Sequence, residues 1–321
     1  MLAQKSKKGW LESTAEFIKW VVIIFLIRTF LFGLYQVPTG SMEHTLLVGE
    51  RFFADKLSYL FKKPQRGDII SFNDPKFPYS DNKFMRMFQE YVWGPSNWTK
   101  RVVGLPGEVI DGRVEDGKPV IYVNNVKLDE PYVNSYPLIH LYKEDPKVLA
   151  KKIEQQLLQE VLRGNLSMSM LNSTVQEYTK CYYSPRSYDP SKGFNDQPFY
   201  RIAPERIIYE DGKMVLEQPY EPLQRLKYIR AYKEGNNTWN GTDEYHIELG
   251  PNQYWVMGDN RRGSQDCRFF GPLDGRLIHG KIVFRIWSID SDHSWWIIDL
   301  LLHPIDFWKR VRFNRCLQFV H

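Results

Sequence analysis

Apolar residues are distributed in two ways along this chain. Near the amino terminus they gather. Trp20 to Ile27 reads WVVIIFLI, Arg28 and Thr29 interrupt, and FLFGLY carries the run to Tyr35. A bilayer core takes about 20 apolar residues, and long basic side chains near its edges can reach the headgroups. Lys19 and Arg28 fit that allowance, so the pattern predicts a tilted transmembrane helix over residues 17–36. Lys5, Lys7 and Lys8 precede it. Basic residues mark the cytoplasmic side, so residues 1–16 are expected inside and everything after the span on the outer (periplasmic or extracellular) face of the inner membrane. Two other readings compete. A cleaved secretory signal would need small residues at its end, where Leu34 and Tyr35 are bulky. A buried core helix would be split by Arg28.

Elsewhere the apolar runs are short and separated by turn residues. ERFFADKLSY, GDIISF, KRVVGLPGEVI and PVIYVNN read as strands, with PQRGD, LPGE and EDGKP as turns. Asn124-Asn125 sits between alternating residues from Ile121 to Val126, which predicts a hairpin. After Pro137 the period changes. Leu149, Ile153, Leu157 and Val161 share one face of a predicted helix over 147–163, stopped by Gly164. From there to about 240 the chain is polar and turn-rich, as expected of a surface insertion. Strand-like sequence returns at Tyr245 with YHIELGPNQYWVMGDN and later GKIVFRIWSI. The tail carries SWWIIDLLL and then Lys309, Arg310, Arg312 and Arg315. It is too short to span a bilayer. It reads equally as an interfacial segment or as a helix packed on the body.

The expected fold is therefore mainly β. An antiparallel β-sheet body is built from residues 37–136 and 241–288, behind the anchor helix and around a part-helical insertion at 137–240. An aromatic and basic tail, a candidate for the membrane surface, occupies 289–321. Composition supports this: 15% of the 321 residues are aromatic, and 21 Gly and 19 Pro supply many turns. The net charge of +5 is too small and dispersed to suggest nucleic acid, and no nucleic-acid or zinc motif is present. Cys181, Cys267 and Cys316 are odd in number and lack CxxC spacing, so neither a metal site nor a disulfide framework is expected. One pair remains open to an oxidising compartment.

Three stretches carry candidate chemistry. In YQVPTGSMEHTLLVGE, Pro38 fixes the chain and Gly40 removes bulk beside the Ser41 hydroxyl. A serine hydroxyl is a weak nucleophile without a base. Seven histidines are available, none in a local triad motif, and a Ser-His-Asp arrangement from distant positions stays open. Lys100, in TKRVVGLPGEVI, offers a second base. An alternating strand points Lys100 and Arg101 to opposite faces, so one of them faces the body. A lysine desolvated there would be easier to deprotonate. The competing reading has both side chains snorkelling into water. In GDNRRGSQDCRFFG, Asp266 and Arg268 share a face of an extended stretch and can pair in bidentate fashion. The alternative is a solvated polar loop.

Taken together these stretches resemble the bacterial type I signal peptidases, membrane-anchored serine proteases with a Ser-Lys dyad. The family's Pro-Ser-Gly-Ser-Met-x-Pro-Thr-Leu stands here as Pro38-Thr39-Gly40-Ser41-Met42-Glu43-His44-Thr45-Leu46. Its Arg-Gly-Asp block is Arg66-Gly67-Asp68, and its Lys-Arg-x-x-Gly-x-Pro-Gly block is Lys100 to Gly107. The last block spans Gly258-Asp259-Asn260, Ser264, Asp266, Cys267, Arg268 and Gly271. The resemblance covers about residues 17–125 and 245–287. It implies Ser41 as nucleophile, Lys100 as general base, Ser264 as the hydroxyl orienting the lysine, and Thr39 with the Ser41 N–H as the oxyanion hole. It also implies Asp266 and Arg268 as a supporting ion pair. His44, Cys267 and Gly263 depart from the family's usual proline, serine and asparagine.

The expected function is removal of signal peptides from secretory precursors with small residues before the cut, without metal or cofactor. Membrane lipid would be a further partner. Val37 and Met42 are expected to wall a shallow substrate pocket. A membrane-tethered binding or scaffold module is the alternative.

Overall fold

Arg51–Asp55 buries every second side chain, Phe52 and Ala54 inward, while Ile69–Phe72 is buried on both faces. The first pattern belongs to a strand with one covered face and the second to a strand sandwiched between layers. The computed structural model describes residues 2–91, 94–142, 145–164, 167–181, 183–193, 196–197, 206–223, 232–291 and 296–320. Parts of the expected insertion, and Ser294 and Trp295 of the tail, lie outside these residues.

Eleven strands frame the site: β1 (Phe32–Gln36), β2 (Arg51–Asp55), β3 (Ile69–Asn73), β4 (Asn97–Gly104), β5 (Val109–Glu115), β6 (Lys118–Val123), β7 (Leu138–Tyr142), β8 (Tyr183–Ser187), β9 (Tyr245–Glu248), β10 (Gln253–Met257) and β11 (Ile278–Trp287). The larger sheet runs β1-β2-β11-β3-β4-β10, all antiparallel, and ends on Leu273–Asp274. A second antiparallel sheet has β9-β5-β6 at its centre. β4 passes from the first sheet to β5 of the second through Pro106-Gly107, where Gly107 takes φ +84°, a conformation that favours glycine. Phe72, Val102, Val103, Ile110, Ile247 and Trp255 fill the main core. A second core holds Val37, Met42, Leu46, Phe52, Ile69 and Ile282.

The hairpin expected at Asn124-Asn125 forms: β6 pairs with Val126–Lys127, and both asparagines have positive φ, 49° and 65°. That is the backbone a two-residue hairpin turn requires. The insertion helix spans Pro146–Leu162, one residue off its expected limits. Asp145 caps it by accepting from Lys147 N and Val148 N.

Two expectations change, and of the two readings of the tail the packed one is observed. The amino-terminal helix spans Leu2–Leu26 and continues in one wider turn to Leu31, but Phe32–Gln36 is β1, registered against β2. The expected 17–36 helix therefore stops short of its carboxyl end, because Phe32–Gln36 finds its backbone partners in a neighbouring strand. No helix among the described residues is long and apolar enough to cross a membrane. Trp20, Val21, Val22, Ile24 and Phe25 nonetheless stand exposed. The insertion is more than a surface addition: Ile139, Leu141 and Ile207 share a core with Val48, just past the Ser41 turn. The tail folds back on the body through buried Phe307. Its Arg315 pairs with Glu50 at 2.6 Å, and Arg312 donates to the Val48 carbonyl at 2.7 Å. The arginines turn inward while Ile297, Ile298, Leu301, Leu302, Ile305 and Trp308 face out.

Candidate active site

Pro38 and Thr39 leave β1 extended, and the chain then tightens into one helical turn at Gly40–Met42. Met42 anchors that turn at 1% exposure in the second core, which fixes where the Ser41 side chain emerges. Asn260 secures it from the opposite strand end: its backbone N–H donates to the Ser41 carbonyl at 3.1 Å and its Nδ2 to the Gly40 carbonyl at 3.0 Å. The Gly258-Asp259-Asn260 motif does not by itself assign Asn260 a role. Its partner Gly40 lies 220 positions away in the chain, so nothing local to Asn260 marks that role.

Lys100 lies on β4 opposite Ile70 of β3. Its Nζ donates to Ser41 Oγ at 3.1 Å and to the Thr99 carbonyl at 3.0 Å. The Trp98 ring is 5.8 Å away. Ser41 and Lys100 are 8% and 5% exposed. Burial pushes the Lys100 amine down to about 8, and the carboxylates of Asp266 and Asp259 resist that fall. An amine near neutrality, in hydrogen-bond reach of a hydroxyl, can accept its proton. No described histidine hydrogen-bonds Ser41; its side-chain partners are Lys100 and Thr39.

Arg101, pointing the other way, is also buried. It grips Asp259 through Nε at 2.9 Å and a terminal nitrogen at 2.8 Å, and stacks 4.1 Å from the Tyr132 ring. Neither basic side chain snorkels, because β4 is covered on both faces. Asp266 and Arg268 form a second bidentate pair, at 2.8 and 2.9 Å, both fully buried. Arg268 also reaches Asp243 at 2.7 Å, and Asp266 accepts the Gly258 N–H at 3.2 Å. The Asp266 carboxyl is held below its ordinary range: burial pushes it up, and Arg268 with its hydrogen bonds more than offsets that.

The remaining candidates divide. Thr39 Oγ1 donates to Ser41 Oγ across a long 3.4 Å. Ser264 is buried beside Gly258, where an added Cβ would fall 2.3 Å from Ser264 Oγ and 2.5 Å from the Ser41 carbonyl. Among the described residues its hydroxyl makes no hydrogen bond of good geometry, to Lys100 or to another group, although it lies close enough to help keep Asp266 ionised. Val37 and Met42 do not wall an open pocket. They point into the second core, because a residue flanking a buried turn is drawn inward with it.

Cys267 and Cys316 are free thiols. Cys267 is buried, accepts the Val256 N–H at 3.1 Å, and has its thiol pushed well up by burial. Thiolates, not thiols, react. Iodoacetamide on the native protein is therefore expected to alkylate half-buried Cys316 well before Cys267, read by peptide mass mapping. Equal labelling would contradict the burial.

The sequence profile of the family described as "Signal peptidase, peptidase S26" matches residues 10–170 and 202–287. Signal peptidase I of Buchnera aphidicola subsp. Acyrthosiphon pisum (strain APS) is 27% identical over 315 residues, covering 94% of this chain and 82% of that protein. Signal peptidase I of Rickettsia bellii (strain OSU 85-389) is 27% identical over 342 residues, covering 98% and 86%. The crystal structure of a signal peptidase I from Enterococcus faecalis V583 is 20% identical and covers 69% of this chain and 97% of that one, with a TM-score of 0.26.

Proposed function

This chain belongs to the signal peptidase family S26 and is a serine endopeptidase that removes signal peptides from secretory precursors; we propose that Ser41 and Lys100 carry out the cleavage. The observation that carries this reading is the 3.1 Å contact between Lys100 Nζ and Ser41 Oγ, both withdrawn from water.

The neutral amine of Lys100 accepts the Ser41 proton as Oγ attacks the scissile carbonyl. The carbonyl oxygen takes up the negative charge. Thr39 Oγ1, released from Ser41 Oγ as that atom bonds to carbon, donates to it together with the Ser41 N–H. One such donor is typically worth about 3 kcal/mol. As the C–N bond breaks, the Lys100 ammonium returns its proton to the leaving amine and an acyl-Ser41 ester remains. Water then gives a proton to Lys100, attacks the ester, and the proton passes back to Ser41 Oγ as the acid leaves. Arg101–Asp259 and Asp266–Arg268 hold the strands that present the two groups.

We also read the exposed apolar stretch from Phe17 to Ile27 as a segment lying in lipid, with the body on the outer face and precursors cut after small residues. The outward apolar side of the tail is consistent with contact to the same surface. The tethered-scaffold alternative is set aside by the family's chemistry.

The test is to incubate the purified chain with a secretory precursor and locate the cut by mass. An acylating inhibitor should leave its adduct on Ser41. Cleavage with the adduct on another residue would exclude this serine. The pH profile follows from the lysine. Below about 8 the amine is protonated and cannot accept. The value of kcat/KM should therefore rise with pH towards a plateau above that point, and activity that falls over the same range would rule out Lys100 as base.

A further inference from the structure

The family pattern leaves open the second position after the serine, and this chain places Glu43 there. Its side chain is 1% exposed. The partners come from the insertion: Oε1 meets Arg186 Nε at 3.0 Å, and Oε2 accepts the Ser187 N–H at 2.9 Å. β8 also presses on the turn itself. A Cβ added to Gly40 would fall 3.0 Å from Glu43 Oε2 and 3.1 Å from the Pro185 carbonyl oxygen.

The same strand is tied to the lysine side. Asn134 Nδ2 donates to Ser187 Oγ at 2.6 Å, and the Asn134 N–H donates to the Asp259 carbonyl at 3.0 Å. Asp259 holds Arg101, the neighbour of Lys100, and the next residue, Asn260, holds the Ser41 carbonyl. Arg186 and Ser187 thus close a bridge between the turn bearing Ser41 and the strand bearing Lys100.

We propose that strand β8 of the insertion sets the alignment of Ser41 with Lys100, with Glu43 and Arg186 as positioning residues that touch no substrate. The insertion is then part of the catalytic geometry. Arg186 and the Ser187 N–H hold the buried Glu43 carboxyl, although burial outweighs the guanidinium and leaves that carboxyl above its ordinary range; releasing either partner strands a buried polar group without water. Misplacement of a reacting group by about 1 Å can cost on the order of 100-fold in rate.

The proposal rests on Ser41 and Lys100 being the reacting pair, so Ser41→Ala is measured alongside. Glu43→Ala, Arg186→Ala and the double variant are assayed for precursor cleavage, and active sites are titrated with an acylating inhibitor. Each single change is expected to lower the rate per titrated site by about 10- to 100-fold, with KM within about twofold. The double variant should be little worse than the weaker single one, since both remove one link. Glu43→Gln, which still accepts from Ser187, should recover part of the loss. Wild-type rates per site in both alanine variants, with Ser41→Ala inactive, overturn the proposal. So does a loss confined to the fraction of titratable sites, which is the mark of a purely structural role. If the alanine variants do not fold, Glu43→Gln and Arg186→Gln are read by the same rate per site, and wild-type rates in both overturn it. Activity retained by Ser41→Ala would instead overturn the reading of the reacting pair.

Discussion

Ser41→Ala and Lys100→Ala are each expected to lower precursor turnover by at least about 1,000-fold, the scale of losing a nucleophile or its base. Lys100→Arg should fail equally, because a guanidinium does not give up its proton in this range. Lys100→Met separates chemistry from folding. The amine binds a proton less tightly in the folded chain, at about 8, than at its ordinary 10.5. As pH falls from 10.5 to 8 the unfolded chain gains protons that the folded one does not, and stability drops. Below 8 both are protonated and the penalty stays constant, at about 3 kcal/mol. Methionine fills similar space without a charge. It should be inactive yet up to that much more stable at pH 7, with the gain shrinking towards pH 10.5. Urea unfolding at the two pH values measures it. Cleavage surviving in the Met variant would show that Lys100 is not the base, and a loss of stability at pH 7 would show that it is not a penalised buried charge.

That Ser41 and Lys100 lie together was legible only through the resemblance of short motifs, since the residues alone left a distant histidine and a snorkelling lysine open. The asparagine hairpin and the Asp145-capped helix were legible from the residues themselves, since each is decided within a few residues. What the sequence concealed depends on long-range packing. Lys100 and Arg101 alternate, which suggested that one faces the body, but the Ser41 turn closes over one face and Asp259 with Tyr132 over the other, so both are buried. Val37 and Met42 looked like pocket walls because they flank Ser41. Which side of a turn meets solvent is decided by the partners packed on it, and here those are Leu46, Phe52 and Ile282. The apolar run to Tyr35 carried no mark of its change from helix to strand, because the pairing partner of Phe32–Gln36 lies at Arg51–Asp55. Glu43 and Ser187 are 144 residues apart, and nothing near either one announces the other.

Removing Asp266 should have two coupled consequences, and their coupling is what makes the experiment sharp. Asp266 and Arg268 are both fully buried, and the guanidinium keeps only Asp243 and the Arg261 carbonyl when the aspartate is lost. Breaking a buried pair by truncating one partner typically costs about 3–5 kcal/mol, much of a domain's stability. Asp266→Ala should therefore unfold at markedly lower urea. Asp266→Asn, which keeps the shape and can still accept from the Gly258 N–H, should lose less. The second consequence is electrostatic. Asp266 is foremost among the charges that hold the Lys100 amine up against desolvation. Without that charge the amine becomes harder to protonate, so the rising limb of kcat/KM should move to lower pH in Asp266→Asn. Loss of a supporting strut alone would lower the plateau and leave the midpoint in place. A midpoint that stays put, or moves to higher pH, would mean that the aspartate does not act on the lysine through its field, and the two ion pairs would then be no more than mechanical support for the strands that carry the site.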